Sequence, residues 1–92
     1  MENSILQFQT RILLDKRVSV WHIGTYLALL HLLRQNQGIN PVTISRKIVM
    51  PIARIKSVPT YHKYMADLVR FGYIHYHPSY HPKQASKVFI IS

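Results

Sequence analysis

Residues 57–72 carry both ends of a helix in their own letters. Ser57 is a residue type that caps a helix by accepting a backbone N–H. Pro59 falls in the first turn, where a missing N–H does no harm. Tyr61, Met65 and Leu68 repeat at helical spacing and make an inward stripe, whereas Pro59, Thr60, His62, Lys63, Ala66, Asp67 and Arg70 point elsewhere. Gly72 stops the helix. Two β-rich pieces follow, residues 73–77 and 86–91, parted by a loop holding Pro78 and Pro82. On the first, Ile74 and Tyr76 share one face, with Tyr73, His75 and His77 on the other. A capped helix that hands over at once to a hairpin leaves few architectures open.

The upstream residues narrow them further. Ser45 is expected to cap a helix over residues 46–53, in which Pro51 threatens a kink or an early end because it lacks an N–H and disfavours helix at Met50. Arg54, Ile55 and Lys56 make the break before Ser57. Pro41, Val42 and Thr43 read as a brief strand that pairs with the hairpin. Ser19 caps a longer helix expected to reach Gln37 and stop at Gly38. Val20, Ile23, Leu27 and Leu30 form one stripe of it and Trp21, Ala28 and Leu32 another, so cover is needed nearly all round, with Trp21, Leu29 and Leu32 the side chains expected to want a partner. Ser4 with Gln7 resembles a capping box, and Ile5, Phe8 and Ile12 repeat at helical spacing, which favours a short helix before the connector Asp15-Lys16-Arg17. The expected organisation is an N-terminal extension, residues 1–17, serving as a dimerisation arm, and one α+β, mainly helical domain, residues 18–92.

Charge says what such a domain would meet. Twelve Lys and Arg face three acids in 92 residues, a formal net charge of +9. The first forty residues carry +2 and the remaining 52 carry +7, so the excess lies in the segment of capped helices and hairpin. A polyanion is the natural partner, since each neutralised phosphate releases counterions, although charge alone also suits a ribosomal or membrane-surface protein. There is no cysteine, which rules out disulfides and thiolate metal sites. The most apolar run, residues 18–33, contains His22 and His31 and is shorter than the ~20 residues of a membrane span. The N-terminus lacks the basic lead of a signal peptide, so a cytoplasmic, nucleoid-associated protein is expected.

Strand, helix, turn, helix, glycine stop and hairpin in this order read as a winged helix-turn-helix. Thr60, Tyr61, His62, Lys63, Met65, Leu68, Gly72, Tyr73 and Ile74 resemble, slot by slot, the pattern of bacterial winged-helix regulators. The strings Arg17-Val18-Ser19, Trp21-His22, Thr60-Tyr61-His62, Gly72-Tyr73-Ile74 and Pro78-Ser79-Tyr80-His81-Pro82 resemble more narrowly the small winged-helix DNA-binding proteins associated with mobile elements of Bacteroidetes. The resemblance implies that Ser57, Thr60, His62 and Lys63 face the major groove or its flanking phosphates. It implies that Arg46 and Lys47 meet backbone from the preceding helix, and Lys83 and Lys87 from the wing. Tyr61 would pack inward with its hydroxyl near the surface. Two departures stand out: His62-Lys63 replaces the usual Ser/Thr-Arg, which removes a guanidinium fork for guanine, and Ala85 stands where wings often carry glycine.

The candidate DNA-contacting set is therefore Ser45, Arg46, Lys47, Arg54, Lys56, Ser57, Thr60, His62, Lys63, Lys83, Ser86 and Lys87. The bland alternative for each is a solvated basic face. His75, His77 and His81 suggest a metal site, but without cysteine or a nearby carboxylate they read better as wing histidines near phosphate. Tyr73, Tyr76 and Tyr80 read as hairpin packing. Three scattered acids and isolated glycines offer no catalytic pair and no phosphate loop, so neither an enzyme nor a cofactor is expected. The expected function is sequence-specific double-stranded DNA binding by a homodimeric transcriptional regulator with no evident small-molecule effector. The alternatives are an accessory DNA-binding factor of a mobile element and a winged-helix protein-interaction module.

Overall fold

In the computed structural model, which describes residues 11–79 and 85–91, the helix behind Ser19 is α1 (Val20–Gln35). Its capping box is closed by a histidine. The Ser19 hydroxyl accepts the His22 N–H, and His22 Nδ1 accepts the Ser19 N–H at 2.9 Å. With Nδ1 an acceptor, the ring proton belongs on Nε2, which donates to Asp67 Oδ2 at 2.8 Å. The helix stops two residues before the expected Gln37. Gln37 takes the first left-handed position (φ 59°) ahead of Gly38 (φ 75°), and their N–H groups bond back to the carbonyls of Arg34 and Leu33.

The remaining elements are β1 (Val42–Ile44), α2 (Arg46–Ala53), α3 (Val58–Arg70), β2 (Ile74–His77) and β3 (Ser86–Ile90). The strands form one antiparallel sheet in the order β1-β3-β2, with Val42 opposite Val88, Ile74 opposite Ile90 and Tyr76 opposite Val88. Val42, Ile44, Ile74, Val88 and Ile90 are buried on the inner face, while Thr43, His75, His77 and Lys87 stand exposed on the outer one. Asn40 lengthens the β1 edge: its side-chain amide exchanges two bonds of 3.0 Å with the Ile90 backbone, as a strand residue would. Together these elements make a small α+β domain.

Tyr26, Leu29, Leu30 and Leu33 of α1, Val49 of α2 and Tyr61, Met65 and Leu68 of α3 close the core over that face. Ile12, in the helical turn of residues 11–13, is buried in the same core. Residues 11–17 lie on the chain's own α3–β2 corner: Arg11 donates to Gly72 O at 2.6 Å, and Tyr73 donates to Asp15 Oδ2 at 2.7 Å. Residues 1–10, with Ser4, Ile5, Gln7 and Phe8, lie outside the described residues.

Several local expectations need correction. Ser45 occupies the N-cap position of α2, but its hydroxyl makes no capping bond; its carbonyl accepts the Ile48 and Val49 N–H groups instead. Pro51 does not shorten α2, because it sits exposed in the last turn and the end is closed by Arg54 N–H to Pro51 O and Ile55 N–H to Met50 O. Tyr73 does not share the outer face with His75 and His77: it precedes β2 and is buried, its N–H bonding back to Leu68 O. The Tyr61 hydroxyl is not near the surface but buried, with no hydrogen-bond partner among the described residues. Leu29 is fully buried and Leu32 partly so, because α2, α3 and the sheet cover more of α1 than its all-round apolarity suggests. His22 and Thr25 are also buried there, Thr25 with its hydroxyl on Trp21 O.

Candidate nucleic-acid interface

α2 and α3 are joined by a tight turn whose shape comes from Arg54. Its left-handed backbone (φ 61°) completes the pair of bonds that end α2, and the chain then runs through Ile55, buried, and Lys56, exposed, to the Ser57 cap of α3. The Ser57 hydroxyl accepts the Thr60 N–H at 3.4 Å, which leaves its own proton free to donate. α3 then carries His62, Lys63, Ala66 and Arg70 outward, opposite the stripe of Tyr61, Met65 and Leu68.

Of the predicted site residues, Arg46, Lys47, Arg54, Lys56, Ser57, His62, Lys63 and Lys87 are exposed, and Ser45, Thr60 and Ser86 are half-buried. Arg46 and Lys47 open α2, a helix with no acid in its first turn. Arg54, Lys56, Ser57 and Thr60 come together in one groove. Lys87 lies on the sheet's outer face between Thr43 and His77. Ser86 is engaged in the neck of the hairpin, accepting the Ser79 N–H at 3.1 Å. Lys83 lies outside the described residues, as do Tyr80, His81 and Pro82 of the same loop.

The placement of the acids gives this face its field. Asp15 pairs with Arg17 at 2.7 Å, and Asp67 pairs with Arg70 at 2.9 Å while accepting from His22. Among the described residues, Arg46, Lys47, Arg54, Lys56, Lys63 and Lys87 have no carboxylate partner. The remaining arginines nearby are held by rings: Arg11 lies 4.4 Å from the centre of Tyr73, and Arg17 and Arg70 flank Phe71 at 4.7 and 5.1 Å. The Asp15 carboxyl is held well below the ordinary carboxylate range, first by the Arg17 side chain, then by the Tyr73 hydroxyl and the Arg17 N–H. Burial pushes the Tyr26 and Tyr61 phenols up, and burial together with Asp15 does the same to Tyr73.

Two residues belong to the site that the sequence pattern did not single out for it. Trp21 of α1 and Tyr64 of α3 line the groove with Arg54, Ile55, Lys56, Ser57 and Thr60, a space of about 460 Å³. Tyr64 lies one turn beyond Thr60 on the α3 face that meets α1, and only the way the two helices cross brings it beside Trp21. Among the described residues, no group of three or more His, Asp or Glu is placed to hold a metal, and no helix is long and apolar enough to cross a membrane. Compared with known proteins, the chain matches no family model, no curated protein and no solved structure.

Proposed function

We propose that this chain is a winged helix-turn-helix protein that binds double-stranded DNA with sequence preference and regulates transcription as a homodimer. In this reading α2 and α3 are the helix-turn-helix, α3 enters the major groove and the β2–β3 hairpin is the wing. The observation that carries it is the distribution of charge: the described acids are engaged by Arg17, Arg70 and His22, while Arg46, Lys47, Arg54, Lys56, Lys63 and Lys87, without a carboxylate partner among the described residues, are spread over α2, the turn, α3 and β3, with Lys16 and Arg34 likewise unmatched outside those elements. Phosphate contact from Arg46, Lys47, Arg54, Lys56 and Lys87 would supply most of the affinity, and Ser57, Thr60, His62 and Lys63 the register and base preference.

Selection of bound sites from random duplex DNA, followed by competition between selected and random duplexes, tests the reading. Thr60→Ala and His62→Ala should narrow the gap between the two duplexes while leaving random-sequence binding nearly intact. Arg46→Ala and Lys87→Ala should weaken both alike. Failure to retain any duplex at low salt would contradict the proposal.

A further inference from the structure

The groove between α1 and the turn holds chemistry that the helix-turn-helix reading leaves unused. Trp21 is 55% exposed, although α1 buries seven other side chains. It is not loose: it sits in the first turn behind the Ser19–His22 capping box, and its carbonyl accepts the Thr25 hydroxyl at 2.8 Å. Tyr64, the other aromatic wall, packs edge-on to the buried His22 ring with centres 5.0 Å apart. The Trp21 backbone and the Tyr64 ring are therefore braced, while the rim is cationic. Among the described residues Arg54 and Lys56 have no carboxylate partner, and the nearby Asp67 is already occupied by His22 and Arg70.

Such a site suits one stretch of a sugar–phosphate chain. The apolar ring faces match the deoxyribose, and the two cations match the phosphate. The indole Nε1–H, a donor only and unpartnered among the described residues, matches a phosphate oxygen, an acceptor only. Ser57, the N-cap of α3, and Thr60 in its first turn also line the groove, so a duplex engaged by α3 brings a strand to it without a change of shape.

We infer that Trp21, with Tyr64, is a DNA-contacting residue of this protein, gripping the backbone that flanks the groove entered by α3. This inference rests on the DNA-binding reading above.

The chain has one tryptophan, so its emission reports this groove alone. A fluorophore-labelled duplex titrated with the full chain gives two independent signals: label anisotropy for complex formation and indole emission for the groove. The expected result is a change in emission that tracks the anisotropy. Trp21→Ala should weaken binding ~10-fold or more, as loss of a hydrogen bond to a charged group does, and Trp21→Phe, which keeps the ring face without the N–H, should recover part of it. Melting curves of both variants verify that this exposed position can be changed without loss of fold. Rising anisotropy with unchanged emission and unaltered affinity of Trp21→Ala would overturn the inference while leaving DNA binding intact. No anisotropy change at low salt would remove both. A poly-glutamate peptide that shifts the emission where the duplex does not would reassign the groove to an acidic protein partner.

Discussion

Asp15 gathers four hydrogen bonds: from the Arg17 N–H, from Arg17 Nε and Nη2, and from the Tyr73 hydroxyl, at 2.7–3.0 Å. Each favours the carboxylate, so the folded chain holds this proton less tightly than the unfolded chain, where an aspartate titrates near ~3.9. The stabilisation is therefore present above that value and fades as the pH falls below it. Asp15→Asn should unfold at lower urea than the wild type at neutral pH, with the two converging as the pH drops below about 4; a gap independent of pH would contradict this. Nothing in the local letters foretold the cluster, because Tyr73 reaches Asp15 only once the chain has come back upon itself. Asp67 has the same history. Its partner His22 stands where a capping box carries Glu or Gln, and that substitution hid a contact between α1 and α3.

At the scale of elements, three helices end alike. Gln37, Arg54 and Gly72 each take a left-handed backbone, and the residue after each bonds back to the last turn. At Gly72 the missing Cβ makes this easy. At Arg54 a side chain is forced into a conformation that disfavours it by roughly 1–2 kcal/mol. Arg54→Gly should therefore raise thermal stability while weakening DNA binding, since it removes an unpaired cation from the groove. A variant less stable than wild type would show that the arginine side chain has a structural role among the described residues that its exposure does not suggest. Helix starts and the Gly72 stop were legible, because Ser19, Ser57, Pro59 and Gly72 act within a turn of themselves. So was the buried stripe Tyr61, Met65, Leu68. The end of α1 was blurred because Gln37 fills a position where glycine is the recognisable signal, whereas the α2 span of residues 46–53 was read in full although Arg54 fills such a position too. The Trp21–Tyr64 groove was not legible at all, since it exists only where α1 and α3 cross.

For the whole molecule, net charge was readable from composition, but its usefulness depends on which cations the acids neutralise, and that required the fold. The proposed homodimer takes a narrower face than all-round apolarity implied. With Ile12 and Leu29 in the core, the exposed apolar side chains of α1 away from the groove are Val20 and Leu27, 72% and 43% exposed. Light scattering should give near twice the chain mass of 10.8 kDa, and Leu27→Glu should return it to one chain; a wild-type monomer at micromolar concentration would remove the dimer from the account.

The central claim, that an unpaired cationic face binds duplex phosphate, is tested most directly by the salt dependence of affinity for a random-sequence duplex. If ~6–10 phosphates are neutralised per dimer, affinity should fall ~10³–10⁵-fold between ~50 and ~200 mM salt, and a flat titration over that range would contradict the claim.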